Sequence, residues 1–364
     1  MERKDVERSP IDAAAFTGMV DLAAEKIGGM ALIASDEFFA EKENLLKPGR
    51  GIFIHDKYTD RGKWMDGWES RRKRVPGYDW CIIKLGVPGV IRGVDIDTNH
   101  FLGNHPPYAS VDAICIEDDS VTGASLAENT TWTEILPKSA LKQGAQNVFS
   151  VQSKERWTHL RLNIYPDGGV ARFKVYGAVA PIWTKVKDNE TVDLVAIENG
   201  GLVVACNDMF FGNKDNLIMP GRGVNMGDGW ETRRRRGPGH DWTIVKMGHV
   251  GLLQKIEVDT CHYKGNFPDI CWMDACYAPG ADIDNLNYMD FEWTEVLAKT
   301  KLKADNRHFY EREILKAGPW THLRLNIAPD GGISRLRVHG TLVRNSNSEP
   351  VLSKGASGGR QSAK

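Results

Sequence analysis

The chain has 364 residues, 41% hydrophobic and 26% charged, which is enough apolar material for more than one full-sized core. Lysine plus arginine (47) nearly cancels aspartate plus glutamate (48), so no global field draws nucleic acid or an anionic membrane, and any anion recognition has to be local. No run approaches the roughly 20 apolar residues that span a bilayer, and the polar start MERKDVERSP lacks the apolar stretch of a signal peptide, so an intracellular protein without membrane or nucleic-acid partners is expected.

Residues 1–29 read as a polar leader. A first repeat follows over 30–180, a linker over 181–195, a second repeat over 196–344 and a polar tail, expected to be disordered, over 345–364. MALIASDEFFAEKENLLKPGRG (Met30 to Gly51) returns as LVVACNDMFFGNKDNLIMPGRG (Leu202 to Gly223). Pro48 corresponds to Pro220, 172 positions on, whereas Asp66 corresponds to Asp228, 162 on, so the first repeat carries ten extra residues between Gly51 and Asp66, read as a loop elaboration. DGWESRRKRVPGYDW (Asp66 to Trp80) then returns as DGWETRRRRGPGHDW (Asp228 to Trp242). A run so dense in charge does not belong in an ordinary core.

Val94 and Ile96 alternate with Asp95 and Asp97, as Ile256 and Val258 do with Glu257 and Asp259, the period of a half-buried strand entering the loops DTNHFLGNHPP and DTCHYKGNFP. WTEILPKSALK (Trp132 to Lys142) and WTEVLAKTKLK (Trp293 to Lys303) read as a further strand and turn. WTHLRLNIYPDGGVARFKVYG (Trp157 to Gly177) and its copy from Trp320 to Gly340 read as a hairpin with one buried face, turning at Pro-Asp-Gly-Gly. Sustained helical periodicity is nearly absent, so the fold class is all-β, two sandwiches or barrels in tandem. Six cysteines, Cys81, Cys115, Cys206, Cys261, Cys271 and Cys276, do not recur between the repeats and read as reduced thiols. The ending Ser362-Ala363-Lys364 shares only its first residue with the S-K-L signal, which makes cytoplasm the expectation over the peroxisome.

The doubled DGWE(S/T)RR(K/R)R, DT-x-H-(F/Y)-x-GN-x-P and WTHLRLNI-x-PDGG motifs resemble the allantoicase family over about Ala31 to Gly340. The resemblance implies two tandem jelly-roll β-sandwiches of the galactose-binding-like type, and hydrolysis of allantoate to ureidoglycolate and urea in purine breakdown. The competing expectation is a non-catalytic tandem jelly-roll binding module, since this fold also hosts many of those. Such a module presents aromatic platforms to sugars, whereas arginine-rich, acid-flanked loops favour a small anionic substrate.

Allantoate carries one carboxylate and two ureido groups on one carbon. Its site therefore needs a cationic fork, oriented hydrogen-bond partners and a proton donor for the departing nitrogen. Arg71, Arg72, Arg233 and Arg234 are the substrate-binding candidates, because a guanidinium grips a carboxylate at two points; position 73 is Lys73 in one repeat and Arg235 in the other. Asn104 and Asn266 are candidate ureide partners. Glu69, Asp66, Asp97 and His100, with Glu231, Asp228, Asp259 and His262, are the proton-transfer candidates, one acid protonating the leaving nitrogen and one base activating water. Asp97 and His100 also supply two of the ligands a divalent metal would want, though two ligands do not make a site. Trp68, Trp80, Trp132 and Trp157 and their partners read as core. His159 and Arg161 lie on the polar face of their strand, lining the sheet surface or facing water. Tyr78 and His105 become His240 and Phe267, so the two pockets differ chemically. Self-assembly is a base-rate expectation for a metabolic enzyme.

Overall fold

The computed structural model describes residues 15–118, 120–128, 131–281 and 291–344; the expected disordered tail and most of the polar leader lie outside the described residues. Each repeat is built on one 19-residue strand, Asp79–Asp97 in the first and Asp241–Asp259 in the second. From Asp79 to Gly93 every second residue is buried, so the period of two holds along most of its length.

This strand changes partners halfway. Its first half pairs with Met30–Ala34 (Ala31 opposite Ile83) and with Arg156–Tyr165 (Leu160 opposite Ile83). Its second half pairs with Arg172–Val179 (Val175 opposite Val94) and Gln146–Ser150 (Phe149 opposite Val94). Tyr108–Ile114 and Thr133–Ala140 extend the first layer, and Val20–Asp21 extends the second. One eight-stranded ladder is thus folded over into the two layers of a jelly-roll sandwich, and the second repeat copies the order strand for strand. At the bend, a Cβ on Gly86 would fall 2.5 Å from the Ile27 carbonyl oxygen, so the close approach needs glycine there. Leu85, Ile91, Val94 and Ile96 meet Leu160, Leu162, Phe173 and Val175 in the core, with Trp68 fully buried among them.

The Trp157–Gly177 hairpin is corrected. Arg156–Tyr165 and Arg172–Val179 pair on different halves of the long strand, and the Pro166–Gly169 turn carries the chain between layers. Two alternating runs around Pro-Asp-Gly-Gly look alike whether they pair with each other or straddle a third strand. The tryptophans also divide. Trp68 and Trp230 are core, whereas Trp132 and Trp293 are half-buried and stack under the guanidinium groups of Arg161 and Arg324. Those arginines are held by Asp112 and Asp274, which also accept from Asn163 and Asn326, so the polar face of this strand is a buried network.

Asp95 is an exception inside the sandwich. It is 1% exposed, one oxygen accepts from the neutral Gln146 amide at 2.7 Å and the other has no partner. Burial pushes its carboxyl up to about 6. A carboxyl raised by folding keeps its proton longer in the native than in the unfolded state, so it lowers stability as pH rises from about 4 to about 6. Asp95→Asn is expected to stabilise the protein by about 1–3 kcal/mol above pH 6, with the gain gone near pH 4. Urea denaturation across that range checks it; a difference independent of pH would refute it.

Candidate functional site

The DGWE segments sit where three loops meet at one end of each sandwich. In the first repeat Trp68–Glu69 pairs with Gly169–Val170, and the Glu69 backbone also bridges to Ala40. Gly67 lies so close to Val170 that a Cβ would fall 2.5 Å from its carbonyl oxygen. The Pro166–Gly169 turn is pinned from the other side: Ser70 N–H donates to the Gly168 carbonyl (3.1 Å), and Gly169 N–H donates to the Asn104 carbonyl (2.7 Å). Gly168 has φ +138°, where a side chain would also strike Asn104. Backbone bonds therefore fix the three loops against each other before any side chain acts.

Between them is a cavity of about 460 Å³. Glu69, Arg72, Lys73, Asn104, His105 and Asp167 supply its polar wall and Phe39 an apolar one. Asn104 donates to Glu69 Oε1 at 2.6 Å, which fixes the carboxyl. Burial raises the Glu69 pKa above the ordinary glutamate value, and the Asn104 bond offsets this only in part. Lys73 is held by Asp79 at 2.7 Å, and its backbone N–H donates to Asp167. Arg72 is exposed and has no ion-pair partner among the described residues. The inserted segment braces this rim: Arg61 donates to the Phe38 carbonyl at 3.0 Å and lies over the Phe38 ring. Phe38 and Phe39 are 39% and 37% exposed, while Phe210 and Phe211, which have no such brace, are 65% and 63% exposed.

The other candidates lie elsewhere. Arg71 turns to Asp36 (2.6 Å) and stacks on Phe38; Arg233 does the same with Asp208 and Phe210. Asp66 is buried against Arg172 (2.7 Å) and accepts from Ile52 N–H. Burial pushes the Asp66 carboxyl up, but Arg172 and the Ile52 bond outweigh it and leave the pKa below the usual range. Asp228 likewise pairs with Arg335 and with Lys26 (2.6 Å), which lies just ahead of the Met30–Ala34 strand. Asp97 is gripped at two points by Arg50 (2.8 Å each), whereas Asp259 has a single contact to Arg222 (3.2 Å), whose main partner is Glu257. His100 and His262 take left-handed backbone conformations (φ +66° and +75°) beyond these strands. The His100 ring rests against Phe53, and His262 Nε2 donates to the Gly223 carbonyl. Among the described residues no three His, Cys, Asp or Glu side chains converge as a metal site.

In the second repeat Asn266 donates to Glu231, Arg235 pairs with Asp241, and Arg234 is exposed like Arg72. Lys73, Asp167 and His105 join this wall although the sequence alone marks them only as the cation beside the arginines, a turn residue and a difference between the repeats. The recurrence of Asp167 as Asp330, and of a cation at position 73, was the available signal.

The allantoicase repeat model matches residues 20–180 and 192–343. The chain is 51% identical over 323 residues to a probable allantoicase of Burkholderia mallei, covering 89% of this chain and 94% of that one. It is 50% identical over 328 residues to an allantoicase of Dictyostelium discoideum, covering 90% and 88%. The crystal structure of allantoicase from Saccharomyces cerevisiae superposes with a TM-score of 0.76 at 38% identity, covering 92% of this chain and 98% of that one. With both repeats matched in order and the sandwich pair reproduced, the chain belongs to the allantoicase family.

Proposed function

We propose that the Glu69 cavity of the first repeat is where this hydrolase cleaves allantoate to ureidoglycolate and urea. The observation that carries the assignment is one guanidinium, Arg72, with no ion-pair partner among the described residues, in the same cavity as a partly buried carboxyl that Asn104 orients. Arg72 binds the substrate carboxylate as a fork, and Lys73 adds positive charge. Glu69 is the base: as its carboxylate it takes a proton from water while the oxygen attacks the central carbon. Its raised pKa makes it a stronger base than an exposed glutamate and places the acid limb of kcat/KM above the ordinary glutamate range. Asp66 and Asp97, each neutralised by an arginine, hold the scaffold. Six free cysteines support a reducing, cytoplasmic setting.

Urea release by the purified protein, with and without EDTA, tests the reaction and its metal dependence together. Arg72→Lys is expected to raise KM roughly 10- to 100-fold with kcat little changed, the loss of a charge-assisted bond worth about 1.5–3 kcal/mol. Unaltered kinetics in both Arg72→Lys and Arg234→Lys would remove the clamp.

A further inference from the structure

We infer that His105 is the acid that protonates the departing urea nitrogen, and that its replacement by Phe267 confines the chemistry to the first repeat. The inference rests on the Glu69 cavity being the reacting site. Four of the five ionisable residues in its wall return in the second repeat with the same charge: Glu69 as Glu231, Arg72 as Arg234, Lys73 as Arg235 and Asp167 as Asp330. The fifth is His105. Its counterpart Phe267 is partly buried and packs against the hydrophobic core. Duplication has kept the acid and the cations in both copies, and the imidazole in one.

The surroundings of His105 indicate a ligand-facing role. Its loop is seated by backbone contacts on the Gly168 turn, so the ring needs no bond of its own to be placed. Nδ1 is buried and, among the described residues, has no hydrogen-bond partner. The charged groups facing the same space are Glu69 from the short strand, Arg72 and Lys73 from the loop after it, and Asp167 from the turn. Asn104 fixes Glu69, Asp79 fixes Lys73, and Asp167 accepts the Lys73 N–H. That leaves the imidazole as the one ionisable side chain of the wall not already engaged by a neighbour or assigned to the substrate carboxylate.

A ureide anion is a poor leaving group, so the nitrogen must gain a proton as its bond to the central carbon breaks. The His105 imidazolium gives that proton, and the bonding pair departs with the nitrogen as urea. The lone pair of the remaining ureido nitrogen forms a C=N bond to the same carbon. Water adds there and passes a proton to the Glu69 carboxylate, closing ureidoglycolate. Transfer of that proton from Glu69 to His105 through solvent restores both groups, and one water has been consumed for one C–N bond. In the second repeat the phenyl ring of Phe267 has no proton to give.

The test uses the full chain. His105→Phe places in the first repeat the residue that the second repeat accommodates, so it is expected to fold with unchanged circular dichroism. It should lose roughly 100- to 1,000-fold in kcat for urea release, within the range of general acid catalysis, with KM within about threefold. In His105→Ala, added imidazole should restore part of the lost kcat; in His105→Phe, where the space is filled, it should not. Retention of kcat within about fivefold in both variants would overturn the inference, and so would a loss that added imidazole does not restore in His105→Ala. If Glu69→Gln is inactive while the His105 variants are not, the cavity reading stands and this inference falls. If Glu69→Gln is fully active, both fall.

Discussion

Glu69→Gln is expected to lower kcat for urea release roughly 100- to 10,000-fold while the protein stays folded, because the amide cannot take a proton from water. Glutamine keeps the shape of the side chain and an oxygen that can accept the Asn104 bond, so the variant isolates basicity from packing. Glu231→Gln, made in the sibling loop, should keep most of the activity. The two loops share the backbone bridge to the preceding segment, the partner asparagine and the exposed arginine. They differ in the insertion bracing Phe38 and in His105 against Phe267. Equal losses in both variants would mean two working sites, and a loss only in Glu231→Gln would move the chemistry to the second repeat. The acid limb of the wild-type pH profile should disappear in Glu69→Gln and persist in Glu231→Gln.

Much of the fold was legible because strands write their period into the sequence and this sequence writes it twice. Val94, Ile96 and their copies identify the long strand without any contact information. Which runs pair was less visible, since Pro166–Gly169 looks like a hairpin turn but crosses between layers. The site was legible as a neighbourhood. Glu69, Arg72 and Asn104 stand together as their motifs suggested, yet Asp66 lies three residues from Glu69 and belongs to a different environment. What separates them is Arg172, 106 positions away, just as Arg50, 47 positions away, separates Asp97 from the cavity. Local sequence cannot show which carboxylate a distant guanidinium will claim. Adjacent Arg71 and Arg72 pose the same problem, resolved only by where the fold puts Asp36.

Arg172→Ala should therefore damage stability far more than chemistry. The guanidinium is 3% exposed, bonds Asp66 Oδ2 at 2.7 Å, and donates to the carbonyls of Asp66 (3.0 Å) and Ala171 (2.7 Å). Its removal leaves Asp66, itself 8% exposed, with the Ile52 N–H as its main support. Stranding one member of a buried pair costs about 3–5 kcal/mol, which in a domain of this size is a fall in Tm of roughly 10 °C. The pair holds the Asp66 pKa below its ordinary value, so its stabilisation is present above about pH 4 and fades as pH falls through the native pKa. The deficit of Arg172→Ala should accordingly be greatest near neutrality and shrink in acid. A double variant, Asp66→Leu with Arg172→Met, removes both charges and should recover much of the loss, because replacing a buried pair by apolar side chains of similar volume is often close to neutral. Denaturation of wild type, single and double variants at pH 7 and at several pH values below about 4 measures each quantity. A single variant within 1 kcal/mol of wild type at pH 7 would show that the pair is not what holds the loop. If the double variant recovers stability and still releases urea, Asp66 belongs to the scaffold, and the carboxyl doing the chemistry is the one three residues further along the chain.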